Sequence, residues 1–152
     1  MDWRTVFFSD EKKFNFDGPD RNMKVWVKEG ESKENFFLYR RQQGGGLVMC
    51  WVGFCYTFKG PLFFFNGTVN ADSYVKHLKN NFLPWYIEQN FKPVYFQHDN
   101  APPHVSQVTK KSLVEWGLDV LKWPANSPDL NPVENLWKLL SDAVYVNGKQ
   151  YT

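Results

Sequence analysis

Asp10, Asp99 and Glu134 are the residues of this 152-residue chain best suited to chemistry. Asp10 follows the apolar run Val6-Phe7-Phe8 within VFFSDEKKF, and Asp99 follows Val94-Tyr95-Phe96 within VYFQHDNAPPH. Glu134 lies in SPDLNPVENLW, with 34 residues between it and Asp99. Each acid falls within, just after or at the edge of an expected ordered element, so one fold could gather all three. Crowded carboxylates repel and raise one another's pKa values. Divalent cations resolve that conflict: two ions about 3.5–4 Å apart stabilise both the attacking and leaving oxygens of an in-line displacement at phosphorus. Magnesium suits such a site because it takes oxygen ligands in octahedral geometry and keeps several waters. The chemistry on offer is that of phosphodiester bonds.

Each acid also has a structural explanation. Asp10 could be a solvated strand residue. Asp99-Asn100 before Ala101-Pro102-Pro103 could be turn chemistry, since such side chains bond nearby backbone amides. Glu134 is the most ambiguous of the three. With Asn131 as N-cap and Pro132 at the first helical position, it occupies the third position, where a capping-box glutamate reaches back to the cap amide. At about 100° per residue, however, Glu134 lies beside the helix's apolar stripe, sharing a flank with Lys138 and Ser141. From there it could lean toward the strand ends that carry the aspartates.

The elements that must position these acids follow from periodicity and punctuation. Val6–Phe16 reads as a strand broken by Asp17-Gly18-Pro19-Asp20. Residues 18–46 are polar and irregular, with short strand signals at Lys24–Val27 and Phe36–Tyr39, and end in Gly44-Gly45-Gly46. Leu47–Phe58 and Leu62–Phe65 read as buried strands joined by a turn at Lys59-Gly60-Pro61. Tyr74, Leu78, Phe82 and Trp85 recur at helical spacing after an Asn70 cap, and Pro84 should kink or end that helix. Val94–His98 reads as a central strand, Ser106–Trp116 as a helix stopped by Gly117, and Val120–Leu121 as a short strand. A last helix starts at Asn131-Pro132, with Leu136, Leu140, Ala143 and Val144 as its apolar stripe. This order implies an α/β domain with a mixed sheet and packed helices.

Composition sets broad limits. Hydrophobic content of 43% and aromatic content of 18% mark a chain with a core, not a disordered one. A formal charge of +2 neither requires nor excludes nucleic acid. Cys50 and Cys55 are separated by an odd interval in a strand pattern, which places them on opposite faces and argues against a disulfide. The apolar run Leu47–Phe58 is too short to span a bilayer as a helix, and no signal peptide follows Met1. The expectation is a soluble, intracellular protein.

The motifs FSDEKKFNFDGPD, HDNAPPHVS and, above all, WPANSPDLNPVENLW resemble the catalytic domain of Tc/mariner transposases. The 34-residue interval between the second and third acids is similar to that of the Tc branch. The resemblance runs from about Asp2 to Tyr151. It implies a ribonuclease-H-like fold, two magnesium or manganese ions, and metal ligands at Asp10, Asp99 and Glu134. It further implies cleavage of double-stranded DNA at transposon inverted-repeat ends, joining to a TA target, a homodimer in the full synaptic complex, and a nuclear location. Relatives begin with helix-turn-helix modules and continue for several helical turns beyond the position of Thr152. The chain is accordingly expected to be a single catalytic domain, 1–152, truncated at its C-terminus and lacking N-terminal DNA-recognition domains. Its 18–46 insertion is expected to act as a clamp or DNA-contacting loop.

Around the acids, Lys12, Lys13, Arg40 and Arg41 are candidates for phosphate contact, as are Lys110-Lys111, although such pairs are common on solvated surfaces. Asn100, His104, Asn131 and Lys138 are candidates for organising the site or touching DNA. A zinc site combining His98 and His104 with Cys50 and Cys55 is disfavoured by the absence of tight-turn cysteine spacing. Gly44-Gly45-Gly46 lacks the Lys-Ser/Thr and the following helix of a phosphate-binding loop. The rival functional reading is a non-catalytic remnant that binds nucleic acid or dimerises.

Overall fold

The computed structural model describes residues 1–19, 46–56, 58–89, 93, 95–146 and 149–151. Its centre is a five-stranded sheet in the order β3-β2-β1-β4-β5. Strands β1 (Val6–Asn15), β2 (Leu47–Phe54) and β3 (Lys59–Phe65) form an antiparallel meander, while β4 (Tyr95–Gln97) and β5 (Asp119–Val120) add in parallel. The mixed sheet with helices on both faces matches the α/β, ribonuclease-H-like expectation.

Side-chain alternation along β1 divides the core. Phe7 points into one cluster with Trp51, Phe63, Tyr74, Leu78, Phe82 and Phe96. Val6 and Phe8 point into the other, with Cys50, Val133 and Trp137. Helices α1 (Ala71–His77), α2 (Leu83–Glu88) and α4 (Gln107–Glu115) cover the first face, and α5 (Val133–Val144) covers the second. Cys50 and Cys55 fall in different clusters, as their spacing predicted.

Asn70 caps α1 as expected, its side chain and that of Ser73 forming a reciprocal box. Pro84 does not end the helical run. A π-helical stretch at Leu78–Phe82 precedes it, and Leu83 N–H bonds back to the Leu78 carbonyl. That five-residue ladder places the proline at the start of α2, where its missing N–H costs little. Ser106 caps α4 through Thr109 N–H, and Gly117 ends it at φ +71°. The sequence signals did not identify the short helix α3 (Pro102–Val105).

Two local expectations change. The hairpin turn lies at residues 55–58, where Cys55 and Phe58 exchange backbone bonds, so β2 stops at Phe54 and Lys59-Gly60-Pro61 opens β3. Pro61 is tolerated there because β3 is an edge strand. In α5, Ala143 is exposed and Trp137 takes the central buried position, with Val133 beside it. The strand signals at Lys24–Val27 and Phe36–Tyr39 lie outside the described residues.

The β2–β3 register shifts between Val52 and Phe54, where two glycines admit the Phe7 ring. A Cβ on Gly53 would stand 2.2 Å from Phe7 Cε1, and one on Gly60 2.5 Å from the Gly53 carbonyl oxygen. Gly53→Ala is expected to lower unfolding free energy by about 1–3 kcal/mol through overpacking. Combining it with Phe7→Leu should recover part of that additional loss in a double-mutant cycle followed by urea denaturation. Strictly additive losses would contradict the clash.

Candidate functional site

The parallel pairing of β1 with β4 spans Val6–Phe8 and Tyr95–Gln97. Just beyond it, Ser9 Oγ donates to the Gln97 carbonyl at 2.7 Å, and Ser9 N–H donates to Gln97 Oε1 at 3.3 Å. The strands therefore stay locked together up to the point where Asp10 and Asp99 emerge. Parallel strands of an α/β sheet commonly present binding residues at such carboxyl ends.

The third acid arrives through a buried amide. Asn131 Nδ2 donates to the Ser9 carbonyl at 3.1 Å, and its Oδ1 accepts from Val133 N–H at 3.1 Å. One side chain thus fastens the first turn of α5 to β1 beside Asp10. The capping box anticipated for Glu134 does not form. The Asn131 N–H that such a glutamate would take donates to the Pro128 carbonyl at 3.0 Å. Glu134 is exposed and lines the same cavity as Asp10 and Asp99. This cavity, of about 430 Å³, is closed on its other side by Asn100 and the Trp123–Pro128 loop. Asn100 Nδ2 joins those walls through a 2.9 Å bond to the Trp123 carbonyl.

The two aspartates have opposite electrostatics. Burial, then the nearby charges of Glu11 and Glu134, push Asp10 up to about 7. The Glu11 backbone N–H and then the Trp137 indole, which donates Nε1–H to Asp10 Oδ2 at 2.9 Å, partly offset this. Asp99 is held below the usual carboxylate range, chiefly by its hydrogen bond with His104. His104 Nδ1 lies 2.6 Å from Asp99 Oδ1, and its Nε2 lies 3.4 Å from Glu11 Oε1. Ala101 N–H also donates to Asp99 Oδ1, at 2.9 Å. Burial alone would depress His104, but its bonds to Asp99 and Glu11 prevail and raise it to about 10. The neighbouring His98 is forced down to about 3 by burial and by His104, and its Nδ1 sits 3.1 Å from the Tyr74 hydroxyl.

Among the described residues, no three His, Cys, Asp or Glu side chains form a ready metal-ligand cluster. The acids share a cavity without closing on one another, as expected for like charges. His98 and His104 stack at 4.8 Å, and the zinc alternative finds no ready cluster among the described residues. Of the other candidates, Asn100 bonds the Trp123 carbonyl, His104 bonds Asp99 and Asn131 bonds the Ser9 carbonyl. Lys12 is half-buried, Lys13 and Lys138 are exposed, and none of these lysines lines the cavity. Arg40 and Arg41 lie outside the described residues. Sequence reading missed Glu11 and the Trp137 indole bond. Strand alternation was the available signal for Glu11, because it turns this residue to the sheet face opposite Asp10.

Residues 5–149 match the family model described as DDE superfamily endonuclease. The Tc3 transposase of Caenorhabditis elegans is 41% identical over 152 residues, covering 98% of this chain and 45% of that protein. A Mos1 transposase paired-end complex with the left transposon end aligns at a TM-score of 0.75 and 26% identity, over 93% of this chain and 42% of that one. A mariner Mos1 paired-end complex with Mg aligns at a TM-score of 0.75 and 25% identity, over 97% and 43%. The chain spans about half the length of the curated relatives it matches. A five-stranded mixed sheet, a cavity lined by three acids from separate elements and a match over nearly the whole chain agree: this chain belongs to the DDE superfamily endonucleases, as a Tc/mariner DDE domain.

Proposed function

We propose that this chain is the metal-dependent catalytic core of a DNA transposase. Its chemistry is two successive phosphoryl transfers. Water attacks a phosphate at a transposon end, forming a P–O bond while the 3′ oxygen leaves. That 3′ hydroxyl then attacks a target phosphate, its proton being lost as the target's own 3′ oxygen departs. The observation that carries the proposal is the convergence of Asp10, Asp99 and Glu134 on one cavity from β1, the end of β4 and the start of α5.

The donor set fits hard divalent cations. All three residues offer carboxylate oxygens, and Asp10 is a half-buried acid raised by burial and then by neighbouring negative charge, which a cation would relieve. Asp10, Asp99 and Glu134 would hold two Mg²⁺ or Mn²⁺ ions, which when bound supply charge stabilisation at the attacking and leaving oxygens. Trp137 holds Asp10 through Oδ2. His104 and Ala101 N–H engage Asp99 Oδ1 and leave Oδ2. Exposed Lys13 and Lys138 are available to DNA phosphates. By kinship, the substrate is double-stranded DNA with inverted-repeat ends and a TA target, handled in the nucleus by a dimer of the whole transposase.

Two measurements test this reading. Supercoiled DNA incubated with the chain and Mg²⁺ or Mn²⁺ should be nicked, with Asp99→Asn and Glu134→Gln reducing nicking to background. Equal activity in the variants would contradict the assignment, and salt-sensitive binding without nicking would favour the non-catalytic remnant. The second test concerns metal-free stability. Asp10 is raised in the folded state, so the native protein holds its proton more tightly. Stability is therefore lost as pH rises from about 4 to about 7, and the full cost remains above that. In EDTA, Asp10→Asn should raise unfolding free energy by on the order of 2 kcal/mol at pH 8 and by much less at pH 5. Saturating Mn²⁺ should reverse the ranking; an unchanged ranking would contradict cation binding at Asp10.

A further inference from the structure

Asp99 follows β4 on a loop, and its side chain is 54% exposed. Rotation about its terminal torsion is broad and would readily exchange the two oxygens. Two donors break that symmetry at Oδ1, the Ala101 amide and His104 Nδ1. The amide lies only two residues on from Asp99. His104 does not depend on that loop alone. Its side chain is 3% exposed, stacked on His98 at an interplanar angle of 8° and packed against Tyr74 at 4.3 Å. The helix that carries it is tied to α4 by a 2.6 Å bond from Thr109 Oγ1 to the Pro103 carbonyl.

The far side of the imidazole reaches a different strand. His104 Nε2 lies 3.4 Å from Glu11 Oε1, a buried oxygen that finds no other partner among the described residues. Glu11 directly follows Asp10 on β1 and faces the opposite side of the sheet. The chain Glu11–His104–Asp99 therefore links the backbone beside one candidate ligand to the side chain of another. His104 does not line that cavity, and both of its ring nitrogens face carboxylates.

We propose that His104 is a positioning residue, anchored by Glu11, that fixes the Asp99 carboxylate with Oδ2 free for a metal ion and sets its place relative to Asp10. The proposal rests on the metal-site reading above. Carboxylate ligands are commonly oriented by such outer hydrogen bonds, whose loss typically costs about 10–100-fold in metal affinity or activity.

Amide variants separate the two ring nitrogens. Asn at position 104 places an N–H where Nδ1 sits and can still reach Asp99, whereas Gln places one where Nε2 sits and faces Glu11. Mn²⁺ affinity, measured by calorimetry on the full chain, should fall about 10–100-fold in His104→Gln and recover to within about threefold of wild type in His104→Asn. DNA nicking at subsaturating Mn²⁺ should follow the same order, with excess metal narrowing the gap. Thermal unfolding in EDTA gives each variant's stability independently of metal. Equal losses in both variants, or losses that track melting temperature alone, would overturn the positioning role. Absence of Mn²⁺ binding by the wild-type chain would overturn the metal reading and this role with it.

Discussion

The site depends on one buried amide. Asn131 donates to the carbonyl of Ser9 and accepts from the N–H of Val133, so it joins two elements 122 residues apart in sequence. Each bond contributes about 0.5–1.5 kcal/mol net, but an unpaired amide at this depth would cost more than the bonds add. Alternative docking angles of α5 are penalised accordingly. The Trp137 ring then packs against the sheet, its indole N–H meets Asp10, and the first helical turn carries Glu134 to the cavity. The helix start also brings partial positive charge toward the acids.

Within this frame, negative charge is handled unequally. His104 compensates Asp99 and Glu11 together, and the buried imidazole is kept protonated by the acids it separates. Asp10 receives uncharged donors, the Glu11 backbone N–H and the Trp137 indole, against burial and two neighbouring carboxylates. The protein's own groups thus neutralise one side of the site and leave the other short of positive charge. That asymmetry is what a cation-binding cleft requires. A fully compensated cluster would be more stable and would have little affinity for metal.

Much of this was legible in the sequence. The alternation of β1, the Asn70 and Ser106 caps and the Gly117 stop are local signals, and all appear in the fold. The convergence of the acids on one cavity follows the motif pattern around Asp10, Asp99 and Glu134. What failed was local grammar overruled by tertiary contact. Glu134 occupies a capping-box position, yet the Asn131 N–H is taken by Pro128 and the Asn131 side chain by β1. Lys59-Gly60-Pro61 reads as a turn, yet Gly60 is needed beside Gly53 and the Phe7 ring. The Glu11–His104 contact joins distant positions and leaves no periodic trace.

On the proposed reading, three acids drawn together by Asn131 and Trp137 hold divalent cations in one cleft. Crystals soaked in Mn²⁺ and measured at the manganese absorption edge test it directly. Anomalous density bounded by Asp10, Asp99 and Glu134 is expected, diminished in Asp10→Asn. Absence of density there, or density equally strong in that variant, would contradict it.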